Sequence, residues 1–155
     1  MNPYMEVVKQ LSEENLVTNA GGPFGACVVK NGEIIGKGSN QVLKSNDPTA
    51  HAEIMAIREA CRTIQSYDLS GCELYTSCYP CPMCLSAIIW ANIQKVYYGN
   101  TKEDAEDIGF RDEHIYEYIR GNQSSDVVLK LESMNREETI KVFQAFSEKE
   151  DKTIY

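Results

Sequence analysis

No stretch of this 155-residue chain approaches the roughly 18 unbroken apolar residues that a membrane-spanning helix requires, so no membrane partner is expected. The opening residues, MNPYMEVVKQLSEENLV, lack both a basic leader and an apolar signal core, and the expectation is a cytoplasmic protein. Positive charge is also scarce: 15 Lys and Arg stand against 23 Asp and Glu, a formal net charge of −8. Nucleic acid is held by Lys and Arg that displace counterions from phosphate, so no nucleic-acid partner is expected and a small, uncharged substrate fits better. Internal repeats, low-complexity tracts and linkers are missing too, which predicts a single domain over 1–155, long enough to bury a core. Against these absences stand six cysteines. In a chain without an export signal thiols stay reduced, and some of these sit at metal-ligand spacing, so metal is considered before disulfides.

Apolar residues at Met5, Val8, Leu11 and Leu16 recur at helical spacing, and the run Asn19, Ala20, Gly21, Gly22, Pro23 ends that helix. The segments 24–30 and 33–37 flank Asn31 and Gly32, a pair suited to a tight hairpin because both turn residues must tolerate positive φ. A helix is predicted over 50–64, with His51 in its first turn, then a strand over 72–78 and a helix over 81–92 opened by Pro80 and Pro82. Strands over 95–99 and 127–131, short helical pieces in 101–121, a helix over 135–147 and a polar tail over 148–155 complete the reading. Alternating strands and helices imply an α/β fold, a sheet with helices laid against it.

Two short motifs carry chemistry: His51-Ala52-Glu53 and Pro80-Cys81-Pro82-Met83-Cys84. Cys81 and Cys84, three residues apart at a helix start, lie on one face where N-terminal N–H groups favour thiolates, which suits zinc, a redox pair or simple packing. His51 alone reads more readily as a structural histidine than as a ligand. Together, one imidazole and two thiolates leave a tetrahedral zinc one position short, and an open position distinguishes a catalytic site from a closed structural one. A closed site would need a further ligand, for which Cys78 is the nearby candidate; Cys27, Cys61 and Cys72 read as small core residues. Glu53 lies about 200° around a regular helix from His51, so it is a poor fellow ligand, yet from the first turn it could reach an activated water as general acid and base.

His-x-Glu followed by Pro-Cys-x-x-Cys is the signature of zinc deaminases of nucleobases. With GGPFGACVVKNGEIIGKGSN, SNDPTAHAEIMAIREAC, LYTSCYPCPMCLSAIIWA and the later GFRDEHIYEYI, the chain resembles the cytidine deaminase-like superfamily over nearly its whole length, and within it the small bacterial guanine deaminases. The resemblance implies a three-layer sandwich with a central five-stranded mixed sheet flanked by helices. It implies zinc on His51, Cys81 and Cys84, proton transfer by Glu53, and hydrolysis of guanine to xanthine and ammonia. Asn40 would hydrogen-bond the purine, Phe24 would stack near it, Asp112 would contact the base and assist ammonia departure, and Trp90 would stand close to the pocket. Tyr155 and the tail 148–155 would cross to a partner subunit, making a homodimer with exchanged C-terminal segments. Relatives commonly carry Glu where this chain has Tyr79, a departure beside the site but not at a proposed ligand. The alternatives are a tRNA adenosine deaminase, which this acidic chain suits poorly, a cytosine or guanosine deaminase, and a non-catalytic zinc-stabilised subunit.

Overall fold

A computed structural model describes residues 1–121 and 128–155, in two compact units, Met1–Asp112 and Glu113–Tyr155. The first unit opens with α1, Pro3–Thr18, capped by the Asn2 side chain, which accepts from the Tyr4 and Met5 N–H groups, and closed by Asn19 in the left-handed region. The predicted hairpin follows: β1, Gly25–Lys30, and β2, Glu33–Ser39, pair antiparallel with Lys30 opposite Glu33. Both turn residues take positive φ, 50° at Asn31 and 83° at Gly32, as such a tight turn demands. Next come a short helix α2, Val42–Ser45, that sequence reading did not anticipate, then α3, Ala52–Ile64, β3, Cys72–Cys78, α4, Pro82–Trp90, β4, Lys95–Asn100, and α5, Lys102–Asp107.

The strands form one sheet in the order β2-β1-β3-β4, antiparallel except for the parallel β3–β4 pair. Alternation along β1 decides the layers. Ala26 and Val28 face one side, packing with Ala52, Ala56 and Ala60 of α3 and Ile88 of α4; Cys27 and Val29 face the other, packing with Val8 of α1 and Tyr75. The result is helix, sheet, helix, with β1 buried on both faces. Helix α3 lies against β2 with almost no side chain between: a Cβ on Gly36 would stand 2.3 Å from the Ala56 carbonyl oxygen, and one on Gly38 2.5 Å from that of Ala52. Small residues on both surfaces are what let helix and strand meet backbone to backbone.

The second unit holds α6, Glu113–Ile119, and α7, Arg136–Glu148, and neither helix buries a residue. Arg120 pairs with Glu113 and Glu117, both at 3.0 Å.

The sheet corrects one expectation: among the described residues it has four strands, not five. Val127 lies outside the described residues, and Leu129, Lys130 and Leu131 take no regular structure. An apolar alternation of five residues encodes only a tendency to pair, and a strand exists only where a neighbouring edge accepts its hydrogen bonds.

Candidate metal centre

Helices α3 and α4 start in the same way. His51 and Cys81 are their respective N-caps, both with extended backbone, and the φ, ψ pairs are −69°, 157° and −66°, 168°. His51 therefore stands just outside the helix and not in its first turn as expected, which frees it from the angular arithmetic of a regular helix. Cys84 follows Cys81 three residues into α4 and is fully buried. The two helix starts meet: His51 Nδ1 lies 3.5 Å from Cys81 Sγ and 3.6 Å from Cys84 Sγ, and all three ligand atoms fall within 4.8 Å of one another. A tetrahedral zinc with metal–sulfur bonds of about 2.3 Å and metal–nitrogen bonds of about 2.0 Å requires nitrogen–sulfur edges of about 3.5 Å. The observed spacings match that edge, so the set fits zinc by geometry as well as by its borderline-soft donors. Among the described residues this is the one such group of His, Cys, Asp and Glu side chains.

The protons in the cluster are unevenly held. The hydrogen bond with Cys84, joined by His51, draws the Cys81 thiol down to about 4, whereas the same bond and burial push Cys84 up. The hydrogen bond to Cys81 raises His51, and the charges of Glu53 and Asp112 add to it. A thiolate already at hand beside a thiol whose proton a cation would displace is a donor set suited to a metal.

Glu53, two residues into α3, is 7 % exposed and turns toward the same cluster. Cys84 Sγ donates to its Oε2 at 3.4 Å, and the Thr76 hydroxyl, from β3, donates to its Oε1 at 3.1 Å. Burial raises its pKa. Thr76 is 1 % exposed and was missed in the sequence; its one signal is a hydroxyl residue on a strand otherwise turned into the core.

The remaining sequence candidates divide. Asn40 is buried at the end of β2, and the next residue, Gln41, donates its N–H to the Ala50 carbonyl at 2.9 Å, one residue before His51. Phe24 packs against the main core and meets Phe110 edge-on, with ring centroids 5.0 Å apart. Gly109, at φ 100°, ends α5 and returns the chain so that Phe110 reaches this contact. Asp112 is half-buried and acts through space on His51 and Cys78. Trp90 ends α4 nine residues from Cys81 and is 67 % exposed. Tyr155 ends the second unit, 81 % exposed. Cys78 is buried but outside the ligand group, with Sγ on the Thr101 carbonyl at 3.4 Å. Cys27 and Cys72 are buried in the two cores, and Cys61 packs against the larger one. Tyr79 turns its ring edge-on to Tyr98, 5.1 Å away, and carries Lys102 Nζ over its face.

Comparison with known proteins places this geometry. Residues 2–100 match the family described as the cytidine and deoxycytidylate deaminase zinc-binding region. The chain is 53% identical over 109 residues to guanine deaminase of Bacillus subtilis, an alignment covering 70% of each protein. An X-ray structure of guanine deaminase from Bacillus subtilis superposes with a TM-score of 0.93 and 42% identity, covering 100% of this chain and 99% of that one. A tRNA-specific adenosine deaminase of Aquifex aeolicus is 51% identical over 76 residues, 49% of this chain and 50% of that protein. A zinc-ligand triad built on two helix N-termini, inside a matched region that holds both motifs, leaves one conclusion: the chain belongs to the cytidine and deoxycytidylate deaminase family.

Proposed function

We propose that the protein hydrolyses guanine to xanthine and ammonia. The observation that carries this reading is structural likeness along the entire chain, at a TM-score of 0.93, to a guanine deaminase, set against likeness along 63% of it, at a TM-score of 0.61, to a tRNA:A34 deaminase. The acidic chain, at net charge −8, supports a small uncharged base over an RNA loop.

His51, Cys81 and Cys84 hold the zinc. When bound, that ion supplies a Lewis acid that activates water near neutral pH. Glu53 takes the proton of the attacking water, whose oxygen bonds to C2 of the base, and delivers it to a ring nitrogen. It then carries the second proton to the exocyclic nitrogen, so that the C2–N bond breaks and ammonia departs. Burial suits Glu53 to this work, because a carboxyl raised above its ordinary range is a better base for the water's proton and comes closer to exchanging that proton near neutral pH. Thr76 keeps one of its oxygens fixed while the other accepts from Cys84 Sγ. Asn40 donates to the purine, Phe24 packs against it, and Asp112 contacts the base and assists the departure of ammonia.

Trp90 stands close to the pocket, and Tyr155, on a tail 148–155 exchanged within a homodimer, helps to close the pocket of the partner subunit. The large exposure of Trp90, Val142, Phe143, Ile154 and Tyr155, between 67% and 81%, supports a covering partner. No described helix is long and apolar enough to cross a membrane, and the six free cysteines support a reducing, cytoplasmic setting.

The test is ammonia release from guanine, guanosine, adenine and cytosine by the purified protein, with zinc content measured alongside. Release from guanine alone is expected. Turnover of another base would keep the zinc chemistry and overturn the assigned specificity. Silence on all four with zinc bound would favour a tRNA substrate or a non-catalytic role.

A further inference from the structure

Asn15 lies in α1, outside both motifs, and nothing in them points to it. It is nonetheless 5 % exposed, an unusual place for a carboxamide, and its polar atoms are committed. Its Nδ2 donates to two main-chain oxygens, those of Gly22 and Asn40, each at 2.8 Å. Its Oδ1 accepts from the Thr18 hydroxyl at 3.1 Å. The orientation is fixed by chemistry: turned over, the amide would set its own oxygen against two carbonyl oxygens.

Asn40, the recipient, is held at every other point as well. Its N–H donates to the Phe24 carbonyl at 3.0 Å, and its Oδ1 accepts the Val42 N–H at 3.0 Å. The side chain lies on the bare backbone of Gly21, where an added Cβ would stand 2.0 Å from Oδ1. With the oxygen spent on Val42, the group left to face a ligand is Nδ2, which makes no hydrogen bond to any described residue. Asn40 thus presents a donor, not an acceptor, and a donor selects a ring nitrogen or a carbonyl oxygen on the base.

We propose that Asn15 is a positioning residue for substrate recognition: it clamps the Asn40 main chain to α1 and to the Gly22 carbonyl, and so aims the Asn40 Nδ2 donor at the base. This rests on the reading of Asn40 as a base contact. A clamp of this kind governs binding of the base more than the proton transfers at Glu53, so KM and kcat separate.

The experiment is a double-mutant cycle on the zinc-loaded enzyme with Asn15→Asp and Asn40→Ala, read as KM and kcat for guanine, zinc content and melting temperature. Asn15→Asp keeps the shape of the side chain and removes both donors. Its KM is expected to rise about tenfold, the scale of one or two buried hydrogen bonds, with kcat within about threefold of the parent and zinc retained. In the Asn40→Ala background the same substitution is expected to add less than about twofold, because the side-chain donor that the clamp aims is gone while the main-chain carbonyl remains. Asn15→Ser, which keeps a hydroxyl donor and makes room for water, serves if the buried carboxylate prevents folding, with a smaller rise in KM expected. Effects that multiply in the double variant, or a fall in melting temperature with KM unchanged, overturn the proposal. A parent enzyme that ignores guanine but deaminates another base overturns only the guanine reading, and the cycle is then run on that base. A parent enzyme silent on every base overturns both.

Discussion

At the scale of single residues, the two motifs make separable predictions, because His51, Cys81 and Cys84 offer ligand atoms while Glu53 offers only a proton carrier. Glu53→Gln preserves the shape and the bond from Thr76 but removes the basic oxygen. Turnover of guanine is expected to fall by about 10²- to 10⁴-fold, with zinc content unchanged by elemental analysis. Full activity in that variant would remove Glu53 from the chemistry. Cys81→Ala takes away the thiolate that its neighbours hold lowest, and the expected outcome is purified protein with little or no zinc and no activity. Zinc at full occupancy in that protein would mean the ligand set is misassigned. These residues were legible in the sequence because a metal site needs particular atoms, and few residue types supply them. Thr76 and Asn15 were not legible, since a hydroxyl or a carboxamide acquires its role only from what the fold sets opposite it.

At the scale of elements, the hairpin, the main helices and four strands followed from turn chemistry and periodicity, which are local. What the sequence concealed depended on partners. The start of α3 is one case: His51 caps the helix without entering it, and periodicity cannot locate such a boundary to within a residue or two. The expected strand over 127–131 is another, as is α2, a single turn closed by Asn46 in the left-handed region. Close approach of α3 to β2 gives the element-scale prediction. Gly38→Ala would drive a methyl against the Ala52 carbonyl and the Met55 Cβ, at 2.5 and 2.6 Å, so strand and helix must part. A loss of about 2 kcal/mol in urea unfolding is expected. Because Ala52 lies between His51 and Glu53, zinc affinity should weaken as well, and a variant with unaltered stability and metal binding would show that the contact yields freely.

At the scale of the whole molecule, the proposed homodimer with exchanged tails predicts a mass of two chains by light scattering. It also predicts complementation: a chain lacking 148–155 and a chain carrying Glu53→Gln, each inactive alone, should regain guanine turnover when refolded together. The intact zinc site of the first then receives the tail of the second. Additive inactivity in the mixture would show that each tail serves its own chain or none. A further consequence follows from where the parts of the site are mounted. The three proposed ligands and Glu53 ride on the ends of helices docked on the sheet, whereas Asn40, Phe24 and Asp112 stand on the stretches between elements. Under the proposed function, hydrolysis and choice of base are carried by different pieces of chain, one on helices packed against the sheet and the other on connecting segments, which as a class tolerate replacement. Descent with modification could retune the second many times over without once relearning the first.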